Sequence, residues 1–151
     1  MNKLDELTAQ IKQCTRCERR QYANAPVPGF GDIGAKYFLI GRDPGREENR
    51  EGIPFIGAAG RRLNELLALA NIDTNDCYIT NLVKCHVPGN KPPRKSFITA
   101  CKPWVLQEIA LVKPETIITL GSEALSLFCD RGITQMHGTQ IKVDLNYAEV
   151  V

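Results

Sequence analysis

No stretch of this 151-residue chain approaches the roughly 18 apolar residues that a membrane-spanning helix needs. The opening MNKLDELTAQIKQC has no apolar signal-peptide core. A cytoplasmic location is therefore expected, and a reducing compartment argues against a disulfide framework for the six cysteines. Repeats, low-complexity segments and linker-like composition are absent, so residues 1–151 are expected to form a single domain, long enough to bury a core without staples. Net charge is only +2, which does not by itself imply a polyanionic partner. Acid is missing from one place: Lys84, Lys91, Arg94, Lys95 and Lys102 occur before Glu108 with no Asp or Glu among them. A one-sign stretch of this kind attracts a phosphate backbone, and its bland alternative is a solvated basic loop.

What is present is an alternation of strand and helix patterns. Residues 3–13 carry Leu4, Leu7 and Ile11 at helical spacing. Strands are expected at 37–40, 77–82 and 116–120, with a last one at 141–143; helices are expected at 59–70, 96–111 and 122–129. In helix 59–70, Leu63, Leu66, Leu67 and Ala70 share a face, and Ser96 is the expected cap of the next helix. Residues 23–34 read as irregular loop. The fold class is therefore α/β, a three-layer αβα sandwich around a central, mostly parallel, four-stranded sheet. Right-handed crossovers gather the strands' carboxyl ends on one edge, where open α/β sheets bind ligands. GRDPG at 41–45, TNLVKC at 80–85 and LGSEAL at 120–125 each follow a strand and are expected to converge there.

Cys77 lies in an expected strand and Cys129 beside Leu125 and Phe128, the settings of buried small apolar residues. Cys14 and Cys17 form one CxxC turn, while Cys85 and Cys101 flank the basic loop. A zinc ribbon usually needs two tight knuckles, and only one is present. Four dispersed cysteines suit an iron–sulfur cubane; a redox dithiol or unrelated free thiols fit the same spacing.

Taken together, CTRC, GRDPG with the Glu47–Glu48 pair, GIPFIGAAGRRL, YITNLVKCHVPGNKPP, ACKPW and TIITLGSEAL resemble the family-4 iron–sulfur uracil-DNA glycosylases, near their phage polymerase-related branch. The matches run in order from residue 14 to about 125. The resemblance implies a [4Fe–4S] cluster on Cys14, Cys17, Cys85 and Cys101. It implies a uracil pocket in which Phe55 stacks on a flipped base and Asn81 reads its edge, with Gly41 and Arg42 lining it. An amide supplies both a donor and an acceptor, which matches N3–H and O4 of uracil and opposes the pattern of cytosine. The family implies that GRDPG activates water. Arg42 and Asp43 both depart from its usual residues there; an Asp in that place is similar to the loop of family-1 enzymes, which makes Asp43 the candidate for orienting water and stabilising the sugar cation. Glu48 is a second acidic candidate. Amides from Gly57 to Gly60 at a helix start, together with Lys84, Lys91, Arg94 and Lys95, are expected to hold DNA phosphates. The expected partner is uracil-containing DNA, single- or double-stranded, met by a monomer.

The family's second motif, a His-Pro segment, has no counterpart here. The two histidines, His86 and His137, do not align with it, and the chain ends at Ala148-Glu149-Val150-Val151, about where it would begin. A fragment or a naturally short form is expected. The leading expectation is a glycosylase of base-excision repair; the alternative is a weak or silent cluster-bearing relative that binds DNA or uracil-DNA. A redox protein would leave Phe55, Asn81 and the basic loop unexplained.

Overall fold

The computed structural model describes residues 1–145. Its helices are α1 (Lys3–Lys12), α2 (Arg46–Glu51), α3 (Ala58–Leu69), α4 (Lys95–Val112), α5 (Ser122–Leu125) and α6 (Ile133–Met136). Its strands are β1 (Tyr37–Gly41), β2 (Cys77–Asn81) and β3 (Thr116–Thr119), all parallel, in the order β2-β1-β3. No helix among the described residues is long and apolar enough to cross a membrane.

The central strand explains the layering. Phe38, Leu39 and Ile40 are all fully buried, as a parallel strand covered on both faces requires. Successive side chains point to opposite faces. Phe38 and Ile40, with Tyr78, pack against Leu4 of α1, Val105 and Ile109 of α4 and Ala124 of α5. Leu39 faces the other way and packs with Cys77 against Leu63 and Leu67 of α3. The Phe38 and Tyr78 rings, paired in register across β1 and β2, stack at 5.1 Å. Helix α1 starts on a capping box in which the Asn2 side chain accepts from the Asp5 amide and the Asp5 carboxylate accepts from the Asn2 amide.

Four expectations are corrected. The segment 141–143 is not a strand, so the described sheet has three strands; Ile141 and Val143 stand about two-fifths exposed, off the sheet edge. The outer edge of β2 meets instead an antiparallel bridge between Phe30 and Ile79. The helix at 122–129 closes at Leu125 and continues as turns. Helix α4 is entered from Arg94, one turn residue after Pro92-Pro93, rather than from Ser96. On α3, Leu66 and Ala70 are exposed, because a narrow sheet is covered by the Leu63–Leu67 stripe alone. The terminal stretch read as strand-like, 148–151, lies outside the described residues.

Candidate active site

A cleft of about 560 Å³ opens at the carboxyl ends of β1 and β2. It is lined by Arg42 and Asp43 from the GRDPG loop, Phe55 from the next loop, Asn81 from the last position of β2 and His86 from the loop beyond it. The pairing of β1 and β2 fixes this meeting: Gly41 stands opposite Asn81. Hydrogen bonding then runs past the strand ends, from the Leu82 amide to Gly41 O and from the Val83 amide to Arg42 O, both at 2.9 Å. The loop after β1 is thereby zipped to the loop after β2.

Gly41 is the point of closest approach. A Cβ there would lie 2.3 Å from Phe55 Cζ and 2.5 Å from Asn81 Oδ1, distances at which atoms overlap. The absence of that carbon lets an aromatic ring and a buried carboxamide meet over one strand end. Asn81 is only 3% exposed. Phe55 adopts a left-handed backbone (φ 55), a costly conformation for an aromatic residue. Its carbonyl fits against Gly60, where a Cβ would fall within 1.8 Å of it. Gly60 thus serves the placement of Phe55 through close backbone approach.

Asp43 is nearly enclosed, with its carboxylate bound by the Arg42 guanidinium at 2.5 Å. Burial raises its pKa above the ordinary aspartate value; the hydrogen bond and charge of Arg42 and the charge of His86 oppose that rise, and Glu123 adds to it. His86 is the residue that sequence reasoning left out of the site. Its Nδ1 lies 2.8 Å from Pro44 O, and it faces the same cleft as Asp43.

Other expected site residues are placed differently. Glu48, 7% exposed, accepts the Gly57 amide at 2.9 Å, so its carboxylate sits at the amino end of α3 and joins α2 to α3. That amide is therefore engaged within the protein and not presented to a phosphate. Lys84 is corrected outright. It is 1% exposed, and its ammonium donates to Thr80 Oγ1 (2.6 Å), Asn81 O (2.8 Å) and Glu108 Oε2 (2.7 Å). Three donors and three acceptors leave none for DNA. Lys91, Arg94 and Lys95 remain at the surface, Arg94 in a loose 3.5 Å pair with Glu18.

The structure brings Cys14, Cys17, Cys85 and Cys101 into one neighbourhood and leaves Cys77 in the core. Burial, then the neighbouring thiols of Cys101, Cys17 and Cys14, push Cys85 up to about 12, with Arg20 opposing. Cys14 Sγ accepts from Trp104 Nε1 at 3.2 Å and from the Arg16 amide at 3.5 Å, and the Lys84 amide donates to Cys101. Donors aimed at sulfur are what metal-bound thiolates require. Among the described residues no three ligand side chains close around a single ion.

Comparison with known proteins gives a consistent result. The profile of the Uracil DNA glycosylase superfamily matches residues 28–149. A type-4 uracil-DNA glycosylase of Pyrobaculum aerophilum is 40% identical over 121 residues, 80% of this chain and 60% of that protein. One of Thermotoga maritima is 36% identical over 141 residues, 91% of this chain and 73% of that protein. A type-5 uracil-DNA glycosylase of Pyrobaculum aerophilum is 31% identical over 129 residues, covering 76% of this chain and 57% of that protein. This chain spans 60% and 59% of two of its type-4 relatives, less than two thirds of their length.

Proposed function

The chain belongs to the uracil DNA glycosylase superfamily, and from its cleft we propose that it hydrolyses the N-glycosidic bond of a deoxyuridine flipped out of DNA. The observation that carries this reading is the meeting of the Phe55 ring and the Asn81 carboxamide over Gly41, beside the Asp43 carboxylate. A flat base slides against the ring, a contact worth ~1–3 kcal/mol. The carboxamide pairs with N3–H and O4. Flipping costs a few kcal/mol, least where the strand is already single.

In this reading the bond from the sugar C1′ to the base N1 breaks as a water oxygen bonds to C1′. Asp43 accepts a hydrogen bond from that water and faces the cationic sugar; the proton the water gives up passes through Asp43 to solvent, and the base leaves as an anion that takes a proton from solvent. Arg42 holds Asp43. Lys91, Arg94 and Lys95 meet phosphates, and Glu48, Gly57 and Gly60 shape the wall from which Phe55 projects. The cofactor of this reading is a [4Fe–4S] cluster on Cys14, Cys17, Cys85 and Cys101. These four thiols would hold it as thiolates, and the N–H donors to Cys14 and Cys101 suit metal-bound sulfur. When bound, it supplies a cross-link between the amino-terminal segment, the loop after β2 and α4.

The test is single-turnover cleavage of a labelled uracil oligonucleotide, single- and double-stranded, with anaerobically purified protein. Alkali-labile cleavage is expected, with N81D losing preference for uracil over cytosine. Retained binding without cleavage would support the silent relative instead. C85S is expected to lose the visible absorbance of the cluster and DNA affinity together; affinity that survives the loss of colour separates the cluster from the DNA-facing loop.

A further inference from the structure

Among the side chains that line the cleft, His86 is one to which the reaction above gives no role. His86 follows Cys85 directly, and its ring lies 2.8 Å from the carbonyl of Pro44, which follows Asp43 directly. A carbonyl only accepts, so Nδ1 carries the hydrogen and donates it. Proline has no N–H with which to fasten this turn, which leaves its carbonyl as the handle. The carbonyl on the other side of Asp43, that of Arg42, is gripped from the same segment by the Val83 amide at 2.9 Å. Asp43 therefore stands between two carbonyls, each held by the loop after β2. The first grip is backbone and survives any substitution but proline; the second depends on the length and donor of one side chain. His86 is itself fixed, because its own carbonyl accepts from Arg19 Nη2 at 2.7 Å, and Arg19 is buried two residues beyond Cys17.

We infer that His86 is a positioning residue: it fixes the Asp43 loop against the cysteine-bearing segments by donating from Nδ1 to Pro44. The inference rests on the glycosylase reading for its effect on rate, and on the geometry alone for its effect on the loop. A carboxylate that orients water must be held to a fraction of an ångström, and a misplacement of about 1 Å costs up to ~10²-fold in rate. The hydrogen bond extends, beyond the β1–β2 register, the grip of the loop after β2 on residues 41–44.

The experiment compares H86A, H86N and H86Q. Asparagine carries its amide nitrogen about where Nδ1 stands, and glutamine about where Nε2 stands. Two readouts are taken on cluster-loaded protein: amide hydrogen exchange across residues 41–46, and single-turnover cleavage with DNA affinity measured beside it. H86A is expected to exchange faster in that segment and to cleave up to ~10²-fold more slowly at unchanged affinity. H86N is expected to restore both, and H86Q neither. Unchanged exchange in H86A overturns the inference. Rescue by glutamine in place of asparagine also overturns it, because Nε2 would then be the working atom. Loss of cluster absorbance in H86A and H86N alike, in step with cleavage, overturns it as well, the residue then serving only the cluster. A wild-type protein that cleaves nothing defeats the glycosylase reading, while the exchange measurement still judges His86.

Discussion

K84M is expected to lower the stability of the folded chain by about 3–5 kcal/mol, the cost of leaving one charge of a buried pair unpartnered. For a domain of this size that is a fall in Tm of roughly 6–20 °C. The size of the effect follows from how Lys84 is used. Its ammonium and the Glu108 carboxylate are 1% and 0% exposed and 2.7 Å apart. Glu108 has in addition the Gly29 amide on its other oxygen, at 3.1 Å. Without the ammonium, a carboxylate remains in the core with only neutral donors near it. Thr80 Oγ1 and Asn81 O each lose the ammonium as well. Replacing both charges, in K84M/E108M, is expected to recover much of the loss, since paired charges are often exchangeable for apolar groups of similar size. Thermal unfolding of K84M, E108M and K84M/E108M beside the wild type closes a double-mutant cycle. Additive losses would show that the two side chains are not coupled, and a K84M that melts like the wild type would remove the ion pair from the account of stability. Because Lys84 holds the carbonyl of Asn81, the double variant is also expected to regain fold without regaining full discrimination for uracil.

Lys84 marks where the sequence stops being legible. In the chain it is one of a run of cations without acids, so it reads as a phosphate binder. Its partner lies 24 residues away on α4. One signal was available: Glu108 falls among Val105, Ile109 and Val112 on the buried face of that helix, and an acid in an apolar stripe demands a cation. His86 was hidden for a different reason. Its contact is to a backbone carbonyl 42 residues away, and no side-chain pattern announces that. The same holds for the close approach of Gly60 to the Phe55 carbonyl, a backbone contact that no side-chain pattern announces. By contrast, the convergence of the loops that carry Asp43 and Asn81 was readable, because a parallel α/β sheet gathers the loops after its strands on one edge; the third stretch expected there, 120–125, does not line the cleft, and Phe55 was legible only through the family likeness. The grouping of the four cysteines was readable only through the family likeness; spacing alone left other arrangements open. The strand expected at 141–143 failed because an apolar-Lys-apolar triplet has β propensity whether or not a neighbour strand is there to pair with it.

D43N is expected to reduce single-turnover cleavage by roughly 10²–10⁴-fold, the range for removing a positioned acid–base group. The variant is nearly isosteric, so the loss tests charge and hydrogen bonding at one atom. Its stability should move the other way. Burial raises the pKa of Asp43, so the fold favours the protonated carboxyl over the ionised one. That contribution is fully present below the pKa of the unfolded chain and is lost as pH rises through the folded value; near neutrality the ionised group is a burden. A neutral amide removes the burden, and Tm at pH 7 is expected to stay level or rise while activity falls, the usual sign of a group kept for function. The wild-type profile carries a second mark. If the ionised form does the work, cleavage declines on the acid side at a pH above the ordinary aspartate range of about 3.9. Arg42 opposes the rise through a hydrogen bond and through its charge. R42Q is therefore expected to move that acid limb further toward neutral pH, with the plateau less affected than the limb. A limb that stays in place in R42Q, or a D43N enzyme that cleaves at the wild-type rate, would take the water-orienting role away from Asp43. The GRDPG turn would then serve to set the wall of the base pocket, with the carboxylate held by Arg42 as part of that wall.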